Sequence, residues 1–296
     1  MHPGQAIAPT IIQSYWSSPS LQRGFEREAG GWVNRRYFLM CWALSALQLR
    51  RFYPRVELVT DSYGKELFID KLQLPYTAVS TALDDLNYSG YDLWTAGKLH
   101  TYAMQQSPFL HLDGDVILFE PLGEHIEQAG IVAQHLEDDL DYYHAIWPRA
   151  EKVIPWMPPS IAAWREQNNS LNAYNMGTMG GQDIDFLQAY AQEAVAAVDK
   201  NLDHLQGLDH GPFSVSAEQM TYFCKAWQEQ KEVTLVMPQG HGEAIRHNVQ
   251  INRPIGYLHP IATFKRSESV CLRINNWLRA WYPEWHYRIQ HLMLEG

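Results

Sequence analysis

Residues 109–122 read FLHLDGDVILFEPL, an apolar run that is interrupted by two aspartates. Such a run is typical of a buried strand that ends at a polar edge. In an extended segment, residues i and i+2 point to the same side, so Asp113 and Asp115 face one point. Adjacent carboxylates are costly unless a cation joins them, which predicts a hard divalent ion, Mn²⁺ or Mg²⁺. Gly114 lets a ligand approach the backbone closely. The alternative is a pair of solvated turn aspartates.

The chain before this stretch alternates between strand and helix patterns. The strand patterns lie at residues 8–16, 55–61 and 75–80, and the helical patterns at 32–51, 62–72 and 91–106. This alternation predicts an α/β fold with a mostly parallel central sheet flanked by helices. Ligands bind beyond the carboxyl ends of the strands in such sheets. Tyr15, Asp61 and Asp113 fall at such ends.

The second half of the chain is less regular. The acidic and proline-rich residues 135–160 predict a loop or lid, and residues 137–141 and the surroundings of His241 are predicted to be exposed loops. Further helical patterns lie at 183–200, 214–230 and 267–292, with Pro283 interrupting the last, and a strand pattern lies at 255–260. No linker or repeat divides the chain, which predicts a single domain over residues 1–296.

Composition narrows the class of protein. The formal net charge of -10 argues against a general nucleic-acid binder. The three cysteines lie far apart, which predicts free thiols in a reducing compartment. No secretory leader pattern and no apolar run of about 18 residues is found, so the expectation is a cytoplasmic protein.

Three further segments accompany the acidic strand. Lys98 lies on the helix before it, Asn175 and Gly177 lie in YNMGTMGG, and His259 and Lys265 lie in HPIATFK. As an ordered set, these motifs resemble the GT-A type nucleotide-sugar glycosyltransferases, and among them the family of glycogenin and the bacterial lipooligosaccharide galactosyltransferases.

The C-terminal motif of this chain differs in part from the family pattern. His259 and Lys265 keep the family spacing, but Ala262 stands where the family has glycine, and no Pro-Trp follows. The resemblance implies that residues 8–120 form a nucleotide-binding half and 121–265 a sugar- and acceptor-binding half, before a C-terminal helical segment, 266–296.

The resemblance also implies roles for individual residues. Asp113 and Asp115 bind Mn²⁺, or Mg²⁺, and the donor diphosphate, and His259 is the third metal ligand. Lys265 and Lys98 offset the negative charge of the phosphates, although a lysine on a helix is more often solvated. Asn175 and Gly177 line the sugar pocket, or form only a tight turn. An acid-Gln pair, here Glu218 and Gln219, faces the donor sugar and supplies the reacting centre.

Some of these residues have structural interpretations as well. Glu218 and Gln219 are also compatible with the first turn of a helix that Ser214 or Ser216 caps. Tyr15 and Trp16 are either core aromatics or a stacking surface for a nucleobase, with Asp61 on the ring or the ribose. A tryptophan stripe near the C-terminus, Trp277, Trp281 and Trp285, predicts core packing, with membrane or partner docking as the alternative.

The combined hypothesis is a metal-dependent glycosyltransferase. It transfers a sugar from a nucleotide-diphosphate donor, with a UDP-sugar favoured, to an unknown sugar, lipid-linked or small-molecule acceptor. No nucleic-acid partner is expected. The first alternative is a phosphatase of the haloacid-dehalogenase type, because LHLDGDVIL resembles the strand that carries its nucleophilic aspartate. The second is a binding module that keeps the sugar-nucleotide pocket without turnover.

Overall fold

The computed structural model describes residues 8–18, 29–88, 90–237 and 256–295. The predicted loop around His241 lies outside these ranges. The fold class is α/β, with a mostly parallel sheet of seven strands flanked by helices, which confirms the predicted class. Among the helices in these ranges, none is both long and apolar enough to cross a bilayer.

The chain divides into two compact units. Unit 1 comprises Met1–Leu86, Leu112–Gly123 and Ile245–Gly296, and unit 2 comprises Asn87–His111 and Glu124–Ala244. Each unit is described separately below. The single domain over residues 1–296 stays a prediction.

Unit 1 holds the first three strands of the large sheet, in the order β3-β2-β1. Its strands are β1 (Thr10–Tyr15), β2 (Val56–Thr60), β3 (Ala78–Ser80) and a small antiparallel pair, β5 (Ile117–Leu118) with β9 (Tyr257–Leu258). Its helices are α1 (Arg35–Phe52), α2 (Ser62–Lys65, continued by the π-helix Glu66–Lys71), α9 (Glu268–Trp281) and α10 (Pro283–Glu295). β1 runs parallel to β2, and β2 runs parallel to β3.

Helix α1 forms the centre of the unit 1 core. It begins after Asn34, whose side chain accepts a hydrogen bond from the Tyr37 backbone, and it is buried from Phe38 to Leu49. Helices α9 and α10 pack against it. Pro283 opens a new helix, so it divides the last helical pattern as expected.

The C-terminal tryptophans divide between core and surface. Trp277 and Trp285 pack partly buried against the core, whereas Trp281 is 43% exposed and stacks on Trp277. Core packing therefore accounts for two of the three residues in the predicted stripe.

Unit 2 holds the other four strands, in the order β4-β7-β6-β8. They are β4 (Phe109–Leu112, whose last residue belongs to unit 1), β6 (Ile131–Glu137), β7 (Ala173–Gly181) and β8 (Val233–Leu235). The helices are α3 (Ala96–Ala103), α4 (Glu124–Glu127), α5 (Asp141–Ala150), α6 (Pro159–Gln167), α7 (Ile184–Asp199) and α8 (His210–Gln228). β6 pairs antiparallel with β7 and parallel with β8.

The glycines at the end of β7 allow close strand packing. A Cβ atom on Gly180 would lie 2.2 Å from the carbonyl oxygen of Phe109, and one on Gly181 would lie 2.2 Å from that of Gly130. Both glycines also have positive φ angles.

The predicted loop or lid over residues 135–160 is wrong in part. The end of β6, helix α5 and the start of α6 occupy residues 135–137, 141–150 and 159–160, while 138–140 and 151–158 are turns or irregular backbone. Tyr143, Trp147 and Ala150 of α5 are buried. Their spacing of four and three residues is helical, but the acidic and proline-rich composition obscures it. Glu137 is buried as well, which contradicts the predicted exposed loop at that position.

Candidate functional site

The structure brings the three predicted metal ligands together in unit 1. Asp113 and Asp115 follow β4, and His259 follows β9. One ligand atom from each residue lies within 4.8 Å of the other two. The two carboxylates are partly exposed, and His259 is buried. Two hard oxygen ligands and one imidazole nitrogen suit Mn²⁺, and the carboxylates also suit Mg²⁺, so the residues fit the expected ion.

Lys265 supplies a positive charge at the same place. Its Nζ atom lies 2.6 Å from Asp115 Oδ2 and donates to the Gly30 carbonyl at 3.2 Å, and His259 Nε2 lies 3.3 Å from Asp115 Oδ1. Burial alone would raise the pKa of Asp115, but the charge of Lys265 and then His259 hold that pKa well below its usual value. Burial would lower the pKa of Lys265, but Asp115 raises it. Asp115 and Lys265 are therefore a charged pair at neutral pH.

Helix α1 fixes the backbone of the acidic loop. Three of its side chains donate to loop carbonyls: Cys41 Sγ to Asp115 (3.9 Å), Ser45 Oγ to Val116 (2.5 Å) and Gln48 Nε2 to Leu118 (2.7 Å). From β1, Gln13 Nε2 donates to the Asp113 carbonyl at 3.3 Å. The donors of α1 are four and three residues apart, so they share one face of the helix. Sequence reasoning missed them, although polar residues at helical spacing inside an apolar helix are a visible signal.

Gly114 is required by a tryptophan of the same unit. A Cβ atom at this position would lie 2.2 Å from the Trp42 ring. That ring stacks on Phe68 with 4.5 Å between centroids, and its Nε1 donates to the Tyr76 hydroxyl at 2.9 Å. The contact with Trp42 accounts for the glycine, and the predicted approach of a ligand stays a prediction.

The residues predicted for the nucleobase have structural contacts of their own. Tyr15 is half-buried and its ring contacts Trp42 and Phe68, and Trp16 is buried. Asp61 accepts from the Ser17 backbone at 2.7 Å and from the Ser17 hydroxyl at 2.6 Å, and it caps α2 through Gly64 at 2.8 Å. These contacts agree with the core alternative, and nucleobase binding stays a prediction.

Lys98 and Glu218 form a buried ion pair in unit 2. Lys98 Nζ lies 3.1 Å from Glu218 Oε1 and donates to the Met176 carbonyl at 3.3 Å, and the Tyr102 hydroxyl donates to Glu218 at 3.2 Å. Breaking such a pair is costly because it leaves one buried charge without compensation.

The predicted helix start at residues 214–216 is wrong. Helix α8 begins at His210 after the N-cap Asp209, so Glu218 and Gln219 lie well inside the helix and form no capping box. The apolar pattern extends the helix N-terminally through Phe213, which is buried.

Asn175 and Gln219 are connected through Glu137 and Tyr143, two residues that the sequence did not indicate as part of the site. Asn175 Nδ2 donates to Glu137 Oε1 at 3.0 Å, and the Gly177 backbone N–H donates to Asn175 Oδ1 at 3.1 Å. The Tyr143 hydroxyl contacts Glu137 Oε2 and lies 2.5 Å from Gln219 Oε1. Glu137 begins an acidic run, and such runs are ordinarily exposed to solvent. The composition of the run therefore gave no sign that Glu137 is buried and hydrogen-bonded.

Comparisons with known proteins give a family match and a number of distant structural neighbours. The model described as "Family of unknown function (DUF6734)" matches residues 10–292. A search of curated proteins finds no match. The glycosyltransferase GlyE of Streptococcus pneumoniae TIGR4 is 10% identical with a TM-score of 0.42, covering 97% of this chain and 64% of that one. Mouse xyloside xylosyltransferase 1 is 9% identical with a TM-score of 0.41, covering 85% of this chain and 97% of that one. The chain therefore spans less than two thirds of the GlyE structure.

Proposed function

The chain belongs to DUF6734, a family of unknown function, and we propose that it is a metal-dependent glycosyltransferase with a nucleotide-diphosphate sugar as donor. The observation that carries this proposal is the cluster of Asp113, Asp115 and His259 in unit 1. These residues come from two distant segments of the chain, and the order of the motifs is the one found in the resembling family. Lys265, beside the cluster, adds a fixed positive charge that suits a diphosphate.

Each charged residue of the cluster has a role in this proposal. Asp113, Asp115 and His259 would hold Mn²⁺ or Mg²⁺, which when bound neutralises the negative charge that develops on the leaving diphosphate. Lys265 contributes to the same stabilisation because its ammonium group is held in place before the donor arrives.

Further roles are proposed for residues of unit 2. Asn175 and Gly177 bind hydroxyls of the donor sugar, and Gln219 or Glu218 stabilises the positively charged glycosyl centre or removes the acceptor proton. Lys98 keeps its proposed role of offsetting phosphate charge and also holds Glu218 in place. The uridine base, the acceptor class and the cytoplasmic location are parts of the proposal that rest on sequence alone.

Calorimetric titration of UDP and GDP, with Mn²⁺, Mg²⁺ or EDTA, tests the proposal. We expect Mn²⁺ to tighten UDP binding by at least about tenfold, since the ion offsets the repulsion between the diphosphate and two carboxylates. UMP is the matched control, because it lacks the second phosphate and should gain less from the ion. No metal-dependent binding of either diphosphate would contradict the proposal.

Turnover assays separate the alternatives. UDP-sugar hydrolysis or transfer supports a glycosyltransferase, whereas nucleotide binding without either indicates a binding module. Phosphate release from simple phosphoesters indicates a phosphatase. We do not favour the phosphatase, because its nucleophile strand usually opens the domain, and here β4 is the fourth strand in chain order.

A further inference from the structure

A buried carboxylate of unit 2 connects two amides of the proposed sugar site. We propose that Glu137 is a positioning residue: with the Gly177 N–H it fixes the Asn175 amide, and through Tyr143 it sets which atom Gln219 presents to the donor sugar. The inference rests on the proposed function, in which Asn175 and Gln219 contact the donor sugar.

The geometry places Glu137 at the centre of these contacts. It is the last residue of β6, and His135, two residues earlier on the same strand, lies opposite Asn175 on β7. Asn175 donates to Oε1 at 3.0 Å, and Tyr143 contacts Oε2. Tyr143 is fully buried, whereas Glu137, Asn175 and Gln219 are each 6–9% exposed. The Tyr143 side chain therefore lies inside unit 2, and the side chains of Asn175 and Gln219 reach the surface of the unit.

The charge of Glu137 determines the direction of these hydrogen bonds. Burial would raise its pKa, but the nearby His135 and the hydrogen bonds from Tyr143 and Asn175 outweigh burial and lower the pKa below its usual value. Glu137 is therefore ionised at neutral pH, and an ionised carboxylate only accepts. Gln134 Nε2 lies 3.2 Å from His135 Nδ1, and His135 Nε2 lies 3.6 Å from Glu137 Oε1.

The Tyr143 hydroxyl transmits this direction to Gln219. A hydroxyl has one proton, and the carboxylate of Glu137 is a stronger acceptor than an amide oxygen. Tyr143 therefore donates its proton to Glu137. The Gln219 atom 2.5 Å from the Tyr143 oxygen must then be a donor, so the amide is turned by 180° and Nε2 takes the place of Oε1. The Gln219 oxygen is then the atom left for a ligand. Without such a partner, an amide can present either its oxygen or its nitrogen.

The variant Glu137→Gln tests the direction without removing the side chain. A glutamine at position 137 that still accepts from Asn175 turns its amide nitrogen toward Tyr143. The Tyr143 oxygen then accepts from that nitrogen, and its proton is donated to the Gln219 oxygen. The Gln219 nitrogen is then the atom left for a ligand. With UDP-glucose and UDP-galactose as probes, we expect kcat of hydrolysis to fall about 10- to 100-fold. KM and Mn²⁺ affinity should change by less than about threefold, because Glu137 is not one of the metal-cluster residues.

Tyr143→Phe and Tyr222→Phe form a matched pair. Each removes the hydroxyl of a fully buried tyrosine, but Tyr222 donates to the backbone carbonyl of Val132 at 2.9 Å. Both variants should lose thermal stability, and only Tyr143→Phe should lower kcat. An equal loss of kcat in both variants would reduce Glu137 and Tyr143 to structural roles.

The double variant Glu137→Gln with Gln219→Glu tests, by rescue of activity, whether Tyr143 connects Glu137 with Gln219. These three residues are called the relay below. The reversed Tyr143 hydroxyl then donates to a carboxylate at position 219, whose second oxygen again faces the ligand. We expect at least about a tenfold recovery of kcat over Glu137→Gln alone, since an acceptor returns to the same place. No recovery would overturn the assigned direction.

Nuclear magnetic resonance of the nucleotide-free protein provides a readout that needs no activity. The side-chain amide signal of Gln219, assigned from its loss in Gln219→Glu, should shift and lose exchange protection in Tyr143→Phe. The signal should also shift in Glu137→Gln. An unchanged signal in both would overturn the inference. Absence of UDP binding in the wild type would instead overturn the proposed function, while the resonance test still decides whether the relay exists.

Discussion

Replacing Asp115 with asparagine should weaken Mn²⁺-dependent UDP binding by at least about 100-fold. Loss of a residue that only hydrogen-bonds to a metal ligand already lowers metal affinity by about 10- to 100-fold, and Asp115 is itself a proposed ligand. The substitution keeps the volume of the side chain but removes the charge that faces the ion and Lys265. Calorimetric titration of UDP with Mn²⁺ measures the change. Asp70→Asn, at an exposed position of unit 1, is the matched control and should bind UDP as the wild type does.

His259→Ala should weaken the same binding less than Asp115→Asn does. A neutral imidazole neutralises less of the ion's charge than a carboxylate does, although both residues belong to the cluster. Equal losses in the two variants would contradict this order. Affinity unchanged in both would remove the metal cluster from the proposal.

Asp115→Asn should also destabilise unit 1. From the sequence alone, the repulsion between the two carboxylates predicts that removing one does not destabilise the protein, but the structure pairs Asp115 with Lys265 at 2.6 Å. We expect a loss of about 1–3 kcal/mol in the free energy of unfolding, since both side chains are partly exposed. Because folding lowers the pKa of Asp115, this contribution is present above its usual value of 3.8 and is lost as the pH falls below it. Denaturant titrations at pH 7 and pH 3 should show the difference between wild type and variant shrinking.

Replacing Gly114 with alanine should disrupt both the fold of unit 1 and the metal cluster. The added Cβ would lie 2.2 Å from the Trp42 ring, which cannot yield easily because it stacks on Phe68 and donates to Tyr76. We expect a loss of about 3 kcal/mol or more, at the upper end of overpacking effects. Mn²⁺-dependent UDP binding should fall by about 100-fold, since a small displacement of reacting groups has such consequences.

Two further variants separate the clash from a general glycine effect. A Cβ on Gly130 would meet nothing within 4 Å, so Gly130→Ala should leave thermal stability and binding nearly unchanged. Adding Trp42→Leu to Gly114→Ala removes the ring atoms in the way and should restore part of the binding. If the double variant binds no better than Gly114→Ala alone, the clash is not the cause.

The sequence predicted the parts of the site that follow from strand geometry. Asp113 and Asp115 point together because they are two residues apart at the end of a buried strand. His259 was placed beside them by the order of motifs in the resembling family, and the structure brings all three together. The α/β class followed from the alternation of strand and helix patterns.

The missed parts depend on long-range packing. Glu137 has the composition of a solvated acidic run, and only the pairing of β6 with β7 places its carboxylate against Asn175. Trp42 is one of many apolar residues in α1, and nothing local connects it with Gly114. Neither contact has a periodicity that a single sequence can show.

The contacts of helix α1 with the acidic loop also determine when the metal cluster can form. Cys41, Ser45 and Gln48 bond to carbonyls 74, 71 and 70 residues away, and Lys265 reaches Gly30 across 235 residues. The cluster can therefore form only when segments that lie far apart in the chain have come together, and the unfolded chain offers the ion only scattered ligands. An ion that binds only the native state stabilises it by about 2.7 kcal/mol at a hundredfold excess over its dissociation constant. Metal availability would thus set the heat resistance of unit 1 as well as its readiness to bind nucleotide.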